Sequence, residues 1–96
     1  MASITGTTSS DSLTGTGNAD DITGLLGQDT ISALGGADLV YGNLSADNIV
    51  AGGGADTVFG GQGSDVVNGN DGSDVLYGNL GNDTLTGGGS GDQMFG

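Results

Sequence analysis

The stretch AGGGADTVFGGQGSDVVN, residues 51–68, contains two consecutive nine-residue units of the same form. In each unit glycines come first, an aspartate stands at position six and an aliphatic residue stands at position eight. The aspartate recurs without interruption at Asp11, Asp20, Asp29, Asp38, Asp47, Asp56, Asp65, Asp74, Asp83 and Asp92. The residues two places further on are Leu13, Ile22, Ile31, Val40, Ile49, Val58, Val67, Leu76, Leu85 and Met94. Ten matches in ten units identify a true repeat.

The composition excludes the usual ways of stabilising a small domain. The chain has 96 residues, of which 33% are hydrophobic, so it forms one domain at most and cannot bury a core that is stable alone. It has no cysteine for disulfides, and without cysteine or histidine it has no structural zinc site. Its 12 acidic residues face no lysine or arginine, which gives a formal charge of −12. The composition therefore predicts that a bound cation stabilises the fold.

The 23 glycines and the uniform negative charge would by themselves favour disorder. The strict period argues against it, because a disordered chain needs no fixed register between an acid and an aliphatic residue. We expect the chain to be ordered when cations are bound and unfolded when they are absent.

On these residues the chain resembles the RTX (repeats-in-toxin) family, whose nonapeptide G-G-x-G-x-D-x-U-x, with U a large aliphatic residue, binds calcium. The resemblance runs from about Gly6 to Gly96 and is fullest between Ala51 and Thr86. It implies an all-β fold, a right-handed parallel β-roll (β-solenoid) of about five and a half coils with two parallel sheets. RTX-like proteins usually leave the cell by a type I route, so the resemblance also implies an extracellular protein.

Each unit is predicted to give a six-residue turn and a three-residue strand, so that two units close one coil of eighteen residues. No helix is expected, because glycine is too frequent and the apolar period is nine rather than 3.6. Residues 1–5 are predicted as a degenerate first strand, with Ala2 in place of the aspartate, and residues 6–96 as the repeats of a single domain. The aliphatic residue is central in each strand, so all of them, from Ile4 to Met94, are predicted to point inward.

The aspartates are predicted to be calcium ligands that line two edges of the roll, with coils stacked about 4.8 Å apart. The edge that we call the Asp47 edge carries Asp11, Asp29, Asp47, Asp65 and Asp83, and the Asp56 edge carries Asp20, Asp38, Asp56, Asp74 and Asp92. Calcium takes six to eight hard oxygens, and glycine turns let backbone carbonyls converge beside the carboxylates. Magnesium fits less well, because it prefers a small octahedron and keeps its water.

Five aspartates leave four gaps along each edge, which predicts about eight internal calcium sites, with further sites at subunit junctions. The first two turns, GTTSSD and GTGNAD, have threonine, serine and asparagine in place of glycines and are predicted to bind more weakly. Asp21 and Asp71 lie off the register and are expected to be ordinary surface residues.

The outward side chains predict two unlike faces. One sheet carries every aromatic residue, Tyr41, Phe59, Tyr77 and Phe95, and the adjoining turns carry Leu26, Leu44 and Leu80 at the same spacing of eighteen. An exposed apolar patch on a small protein marks an interface. The alternative is aromatic stacking within the sheet, and both can hold at once. The opposite sheet carries mainly threonine, serine and asparagine.

These features predict an extracellular calcium-binding structural protein that folds on Ca²⁺ and self-assembles, head to tail and also laterally, into a filament, sheath or surface layer. The alternative is a calcium-folding module of a larger secreted RTX enzyme, toxin or adhesin. An ice-binding roll is less favoured, because the threonines and asparagines of the polar face are irregular.

Other functions are not expected. Catalysis is disfavoured because the chain has no His, Cys, Lys, Arg or Glu to act as base, nucleophile or oxyanion cation. The negative charge predicts no nucleic-acid binding, and the absence of a long apolar run predicts no membrane insertion. The N-terminus lacks the features of a secretory signal peptide, so a type I-like export is expected.

Overall fold

Each nine-residue unit contributes one β-strand centred on its aliphatic residue. A computed structural model describes residues 3–89 and 91–96. In this part of the chain eleven strands and no helix are present. The strands are β1 (Ser3–Thr5), β2 (Ser12–Thr14), β3 (Asp21–Thr23), β4 (Thr30–Ser32), β5 (Leu39–Tyr41), β6 (Asn48–Val50), β7 (Thr57–Gln62), β8 (Val66–Asn68), β9 (Val75–Leu80), β10 (Thr84–Thr86) and β11 (Gln93–Phe95).

The strands alternate between two parallel sheets. The odd-numbered strands form a six-stranded sheet in the order β1-β3-β5-β7-β9-β11, and the even-numbered strands form a five-stranded sheet in the order β2-β4-β6-β8-β10. Paired residues are eighteen apart in sequence, as in Val40↔Val58 and Ile49↔Val67. The chain is thus an all-β solenoid of about five coils, which confirms the predicted fold class.

Two strands are longer than predicted. β7 and β9 each have six residues, because their pairing continues into the turn through Gly61↔Asn79 and Gln62↔Leu80. The neighbouring turns pair in a similar way, with the Gln62 N–H donating to the Asn43 carbonyl. The coils are therefore hydrogen-bonded to one another along the Asp47 edge as well as within the sheets.

The core is a ladder of aliphatic side chains between the sheets. Seven of them are completely buried, namely Ile22, Ile31, Val40, Ile49, Val58, Val67 and Leu76. Ile4, Leu13 and Leu85, in the outermost coils, are half-buried and pack against this cluster. The prediction that all the aliphatic residues form one core is wrong for Met94, which is 50% exposed because β11 has a neighbouring strand on one side only. The core also contains Ala33 and Ala51, which the repeat pattern does not predict.

The roll is flat, with Cα extents of 32 × 28 × 13 Å. Within residues 3–89 and 91–96, nothing forms a helix of the length and apolar character that a membrane crossing requires. The predicted first strand is present as β1, whereas the Ala2 substitution lies outside the described residues.

Candidate calcium-binding edges

The seven turns that begin at residues 24 to 78 share a backbone with left-handed residues at positions two and four. Glycine supplies this conformation at several of these positions, for example at Gly61 and Gly63, with φ of 95° and 107°. At position two, however, the same conformation is taken by five non-glycine residues: Leu25, Leu34, Asn43, Asn70 and Asn79. Leucine adopts it only at a cost of about 1–2 kcal/mol. The turn shape is therefore imposed by the roll even where the sequence departs from glycine.

The repeat aspartates form a hydrogen-bonded ladder along each edge. The backbone N–H of each aspartate from Asp11 to Asp74 donates to Oδ1 of the aspartate eighteen residues later, as in Asp29 to Asp47 and Asp47 to Asp65, both at 2.8 Å. The same bond runs along the Asp56 edge, where Asp38 donates to Asp56 at 2.8 Å. One oxygen of each carboxylate from Asp29 onward is thereby fixed by the preceding coil, and the second oxygen is directed to the interior of the turn.

This second oxygen has no protein partner in most of the turns. Seven buried Oδ2 atoms among the described residues accept no hydrogen bond, those of Asp29, Asp38, Asp47, Asp56, Asp65, Asp74 and Asp83. Burial of an unpaired carboxylate oxygen is strongly unfavourable unless a proton or a cation compensates it. Since the chain contains no lysine, arginine or histidine, no side-chain cation can compensate it.

A backbone carbonyl of the next coil lies close to the unpartnered oxygen of Asp29, Asp47, Asp65 and Asp74. A methyl group added to Gly42 would lie 2.6 Å from Asp47 Oδ2 and 2.6 Å from the Gly60 carbonyl oxygen. The two oxygens are therefore no farther apart than twice that distance, a span that one calcium ion with Ca–O bonds of 2.3–2.6 Å bridges. On the Asp47 edge position one is always glycine, which leaves this space open, whereas Ala33 and Ala51 stand at position one on the Asp56 edge.

No three carboxylates cluster together among residues 3–89 and 91–96. Carboxylates alone therefore do not complete a calcium site, and the remaining ligands must come from backbone carbonyls of the turns. The donor set is entirely hard oxygen, as calcium prefers. The residues fit the ion, which would be held by the inner aspartates and supply the charge that compensates their buried oxygens.

The family model of the RTX calcium-binding nonapeptide repeat matches the chain in four copies, at residues 3–31, 32–67, 41–76 and 68–96. The chain belongs to the RTX calcium-binding repeat family. Comparisons with curated proteins and with solved structures return no match. Membership establishes a calcium-binding β-roll, and RTX repeats are typical of secreted proteins.

Without calcium, the inner carboxyls of this RTX roll hold protons more tightly than usual. Burial raises the pKa of Asp47 and Asp56 to about 7, with smaller upward contributions from neighbouring aspartates and a partial offset from the backbone N–H bonds. Burial likewise raises the pKa of Asp65 to about 6 and that of Asp38 and Asp74 above 3.8. The charged form is thus destabilised when no cation is bound.

The first two turns of the RTX roll are built differently. Asp11 and Asp20 are absent from the unpartnered set because each is bound by a threonine of its own turn. The Thr16 N–H donates to Asp20 Oδ2 at 2.7 Å, and the Thr16 hydroxyl lies 2.9 Å from Oδ1. Thr7 makes the same set of bonds to Asp11. These two predicted ligands therefore differ from the seven that follow them, Asp29 to Asp83.

The predicted interface residues lie on one side of the roll. Tyr41, Phe59, Tyr77 and Phe95 form a single stack, which we call the aromatic ladder, with successive ring centroids 5.0, 4.8 and 4.9 Å apart. Leu26, Leu44 and Leu80 are exposed in the adjoining turns. Leu26 and Leu44, together with Gln62, line an open groove of about 610 Å³ along the Asp47 edge. Stacking within the sheet is thus present, and the same residues leave an apolar strip open to solvent.

Proposed function

We propose that this RTX chain is an extracellular structural protein that folds when it binds calcium and then assembles end to end into a filament, sheath or surface layer. The observation that carries the proposal is the set of seven buried carboxylate oxygens without a partner. A roll with this interior requires a cation for its stability, and family membership identifies the cation as calcium.

Calcium dependence supports folding outside the cell. Extracellular calcium modules bind at about 10⁻⁴ to 10⁻³ M, well above the resting cytosolic concentration of the ion. The chain is therefore expected to stay unfolded before export, by a type I-like route, and to fold afterwards. Circular dichroism in excess chelator tests this step, and a β-rich spectrum that persists without calcium would contradict it.

End-to-end assembly is supported by the outermost strands. Within the described residues β1 and β11 each pair on one side only, and Met94 and Phe95 of β11 are half exposed. An unpaired strand edge is a template for another chain, and a head-to-tail contact that does not close forms a filament. Because β1 and β11 belong to the same sheet, continued alternation turns the next chain by about 180°, with an axial step of roughly 26 Å for eleven strands.

Lateral association is supported by the aromatic ladder and the leucines beside it. Leu80 is 65% exposed, and the strip continues from the sheet round the corner into the groove of the Asp47 edge. Contiguous exposed apolar surface of this kind marks interaction sites. A second copy is the partner proposed for it, so filaments are expected to bundle.

Electron microscopy and sedimentation of the protein in millimolar calcium and in chelator test the assembly. Filaments with a repeat near 26 Å that disappear with chelator support the proposal. Folded, monodisperse monomers in calcium would instead favour a calcium-folding module of a larger secreted protein, in which further coils cover β1 and β11. The ice-binding alternative predicts thermal hysteresis of the calcium-loaded protein, and its absence removes that reading.

A further inference from the structure

The carboxylate oxygens of the repeat aspartates have different partners in the first coil, which contains the turns of Asp11 and Asp20, and in the later coils. Asp20 and Asp29 are both 1% exposed, and the Oδ1 atom of Asp29 is held by a backbone N–H. They differ at Oδ2, which is unpartnered in Asp29 and accepts the Thr16 N–H at 2.7 Å in Asp20. The Thr16 hydroxyl adds bonds of 2.9 and 3.0 Å to the two oxygens of Asp20.

We propose that Thr7 and Thr16 close the first coil without calcium, by donating to Asp11 and Asp20 the hydrogen bonds that replace the ion. The inference deepens the proposed function, since it rests on calcium binding by the later turns. It also revises the number of ions. The turns from Gly24 onward place four aspartates on each edge, which leaves three gaps per edge and about six internal calcium sites in place of eight.

The residue at position two decides between the two kinds of turn. In the turns from Gly24 onward this residue has positive φ, as in Leu25 and Gly61, whereas Thr7 and Thr16 do not. Threonine is β-branched, and for such a residue the left-handed region is a genuine outlier. Its backbone N–H then donates to the carboxylate of its own turn, at the oxygen where a calcium ligand is needed.

The threonine turns are also braced internally. The Ser9 N–H donates to the Thr7 hydroxyl at 3.2 Å, and the Asn18 N–H donates to the Thr16 hydroxyl at 3.1 Å. Each hydroxyl therefore accepts one bond and donates its single hydrogen to the carboxylate. The carboxylates of the first coil thus have hydrogen-bond donors of their own, and this coil is expected to remain the most ordered part of the roll at low calcium.

Isothermal titration calorimetry on a matched pair of variants tests the assignment. Asp29→Asn is expected to lower the number of bound ions by at least one, and Asp20→Asn is expected to leave it unchanged. Loss of an ion in Asp20→Asn would overturn the inference. Failure of Asp29→Asn to lose one would instead contradict calcium binding by the later turns, so the two failures are distinguishable.

A gain-of-function variant gives a second readout. Thr16→Gly changes the turn from GTGNAD to GGGNAD, which restores glycine at position two while Asn18 stays at position four, and it is expected to add one bound ion. Thr16→Ser keeps the hydroxyl and is expected to keep the wild-type count. An unchanged count in Thr16→Gly would overturn the role of position two. Amide hydrogen exchange at subsaturating calcium adds an independent check, since protection of residues 12–23 is expected to fall in Thr16→Gly and to persist in Thr16→Ser.

Discussion

Replacement of Asp65 by asparagine is expected to change the stability of the roll in opposite directions with and without calcium. Asp65 is fully buried, its Oδ1 accepts the Asp47 N–H at 2.8 Å and its Oδ2 has no partner. Asparagine keeps the shape and the acceptor of that bond. It removes the negative charge and puts an N–H donor at the place of the unpartnered oxygen, close to the Gly78 carbonyl.

In calcium the variant loses a ligand to the ions on both sides of its turn. At a calcium concentration a hundredfold above the dissociation constant, each site stabilises the fold by about 2.7 kcal/mol. Loss of two sites removes about 5 kcal/mol, which is comparable to the whole stability of a small domain. The folding midpoint is the calcium concentration at which binding supplies the free energy that folding requires. If the wild-type midpoint with six sites lies at ten times the dissociation constant, four sites supply the same free energy only at a calcium concentration about three- to fourfold higher.

In chelator the sign reverses. Burial raises the pKa of Asp65 to about 6, so near pH 7.5 the folded state holds mostly a buried charge that asparagine does not carry. The variant is therefore expected to be more β-rich than wild type when calcium is absent. Calcium titrations followed by circular dichroism measure both effects.

The matched control is Asp21→Asn, which removes the same charge from the outer surface of β3. It is expected to change stability by less than about 0.5 kcal/mol in either condition. A D65N midpoint equal to that of D21N would refute the assignment of Asp65 as a ligand. A D65N chain less β-rich than wild type in chelator would refute the account of its buried charge.

Three further predictions concern the turns, the pH and the outer face. Gly42→Ala is expected to raise the calcium midpoint, because its methyl group would lie 2.6 Å from two oxygens of the Asp47 edge, where position one is always glycine, and overpacking costs about 1–3 kcal/mol. The control is Gly53→Ala, whose methyl group meets nothing within 4 Å, and equal calorimetric affinities of the two variants would contradict the role of glycine at position one on this edge. In chelator, the inner carboxyls have folded pKa values raised above 3.8, to about 7 in two cases, so the stability that they contribute is complete at acid pH and is lost as the pH rises through those values. Acidification from pH 8 to 5 should therefore increase the β content while weakening calcium binding, and the opposite trend in circular dichroism would be inconsistent with this sign. Replacement of Tyr41, Phe59 and Tyr77 by serine removes three stacked pairs, worth about 0.5–1.5 kcal/mol each, and is expected to preserve calcium-dependent folding but to abolish bundling in electron micrographs. If the variant cannot fold in saturating calcium, the aromatic ladder is an internal support of the roll instead.

The strands and their pairing are predictable from the sequence because the repeat length fixes the geometry. Once two units of nine make a coil, residues eighteen apart must pair in register, as Val58 and Leu76 do. The inward position of the aliphatic residue then follows from the alternation of side chains in a strand. Nothing in the repeat period states how many coils cover a given residue, and for that reason the exposure of Met94 is not predictable from the pattern.

The turns are less predictable, because their backbone depends on tertiary pairing as well as on composition. Leu25 and Leu34 take positive φ although leucine disfavours it, since the adjoining turns hold the backbone in register. The threonine turns depart from that geometry, and a signal for them was present in the sequence. Thr7 and Thr16 are the β-branched residues at position two, and β-branching disfavours the left-handed backbone on which the other turns depend.

Charge links calcium loading to assembly. The formal charge of −12 is spread over a roll only 13 Å thick, so two unloaded copies repel each other. At physiological salt this repulsion acts over a Debye length of about 8 Å. About six divalent ions, one for each gap between the left-handed turns, carry twelve positive charges and make the chain formally neutral. In the proposed filament, a second copy is expected to reach the aromatic ladder and the outer edges of β1 and β11 only when this repulsion is removed. Calcium therefore has two roles in the proposed filament, since the ions that compensate the buried carboxylates also remove the net charge that keeps the chains apart.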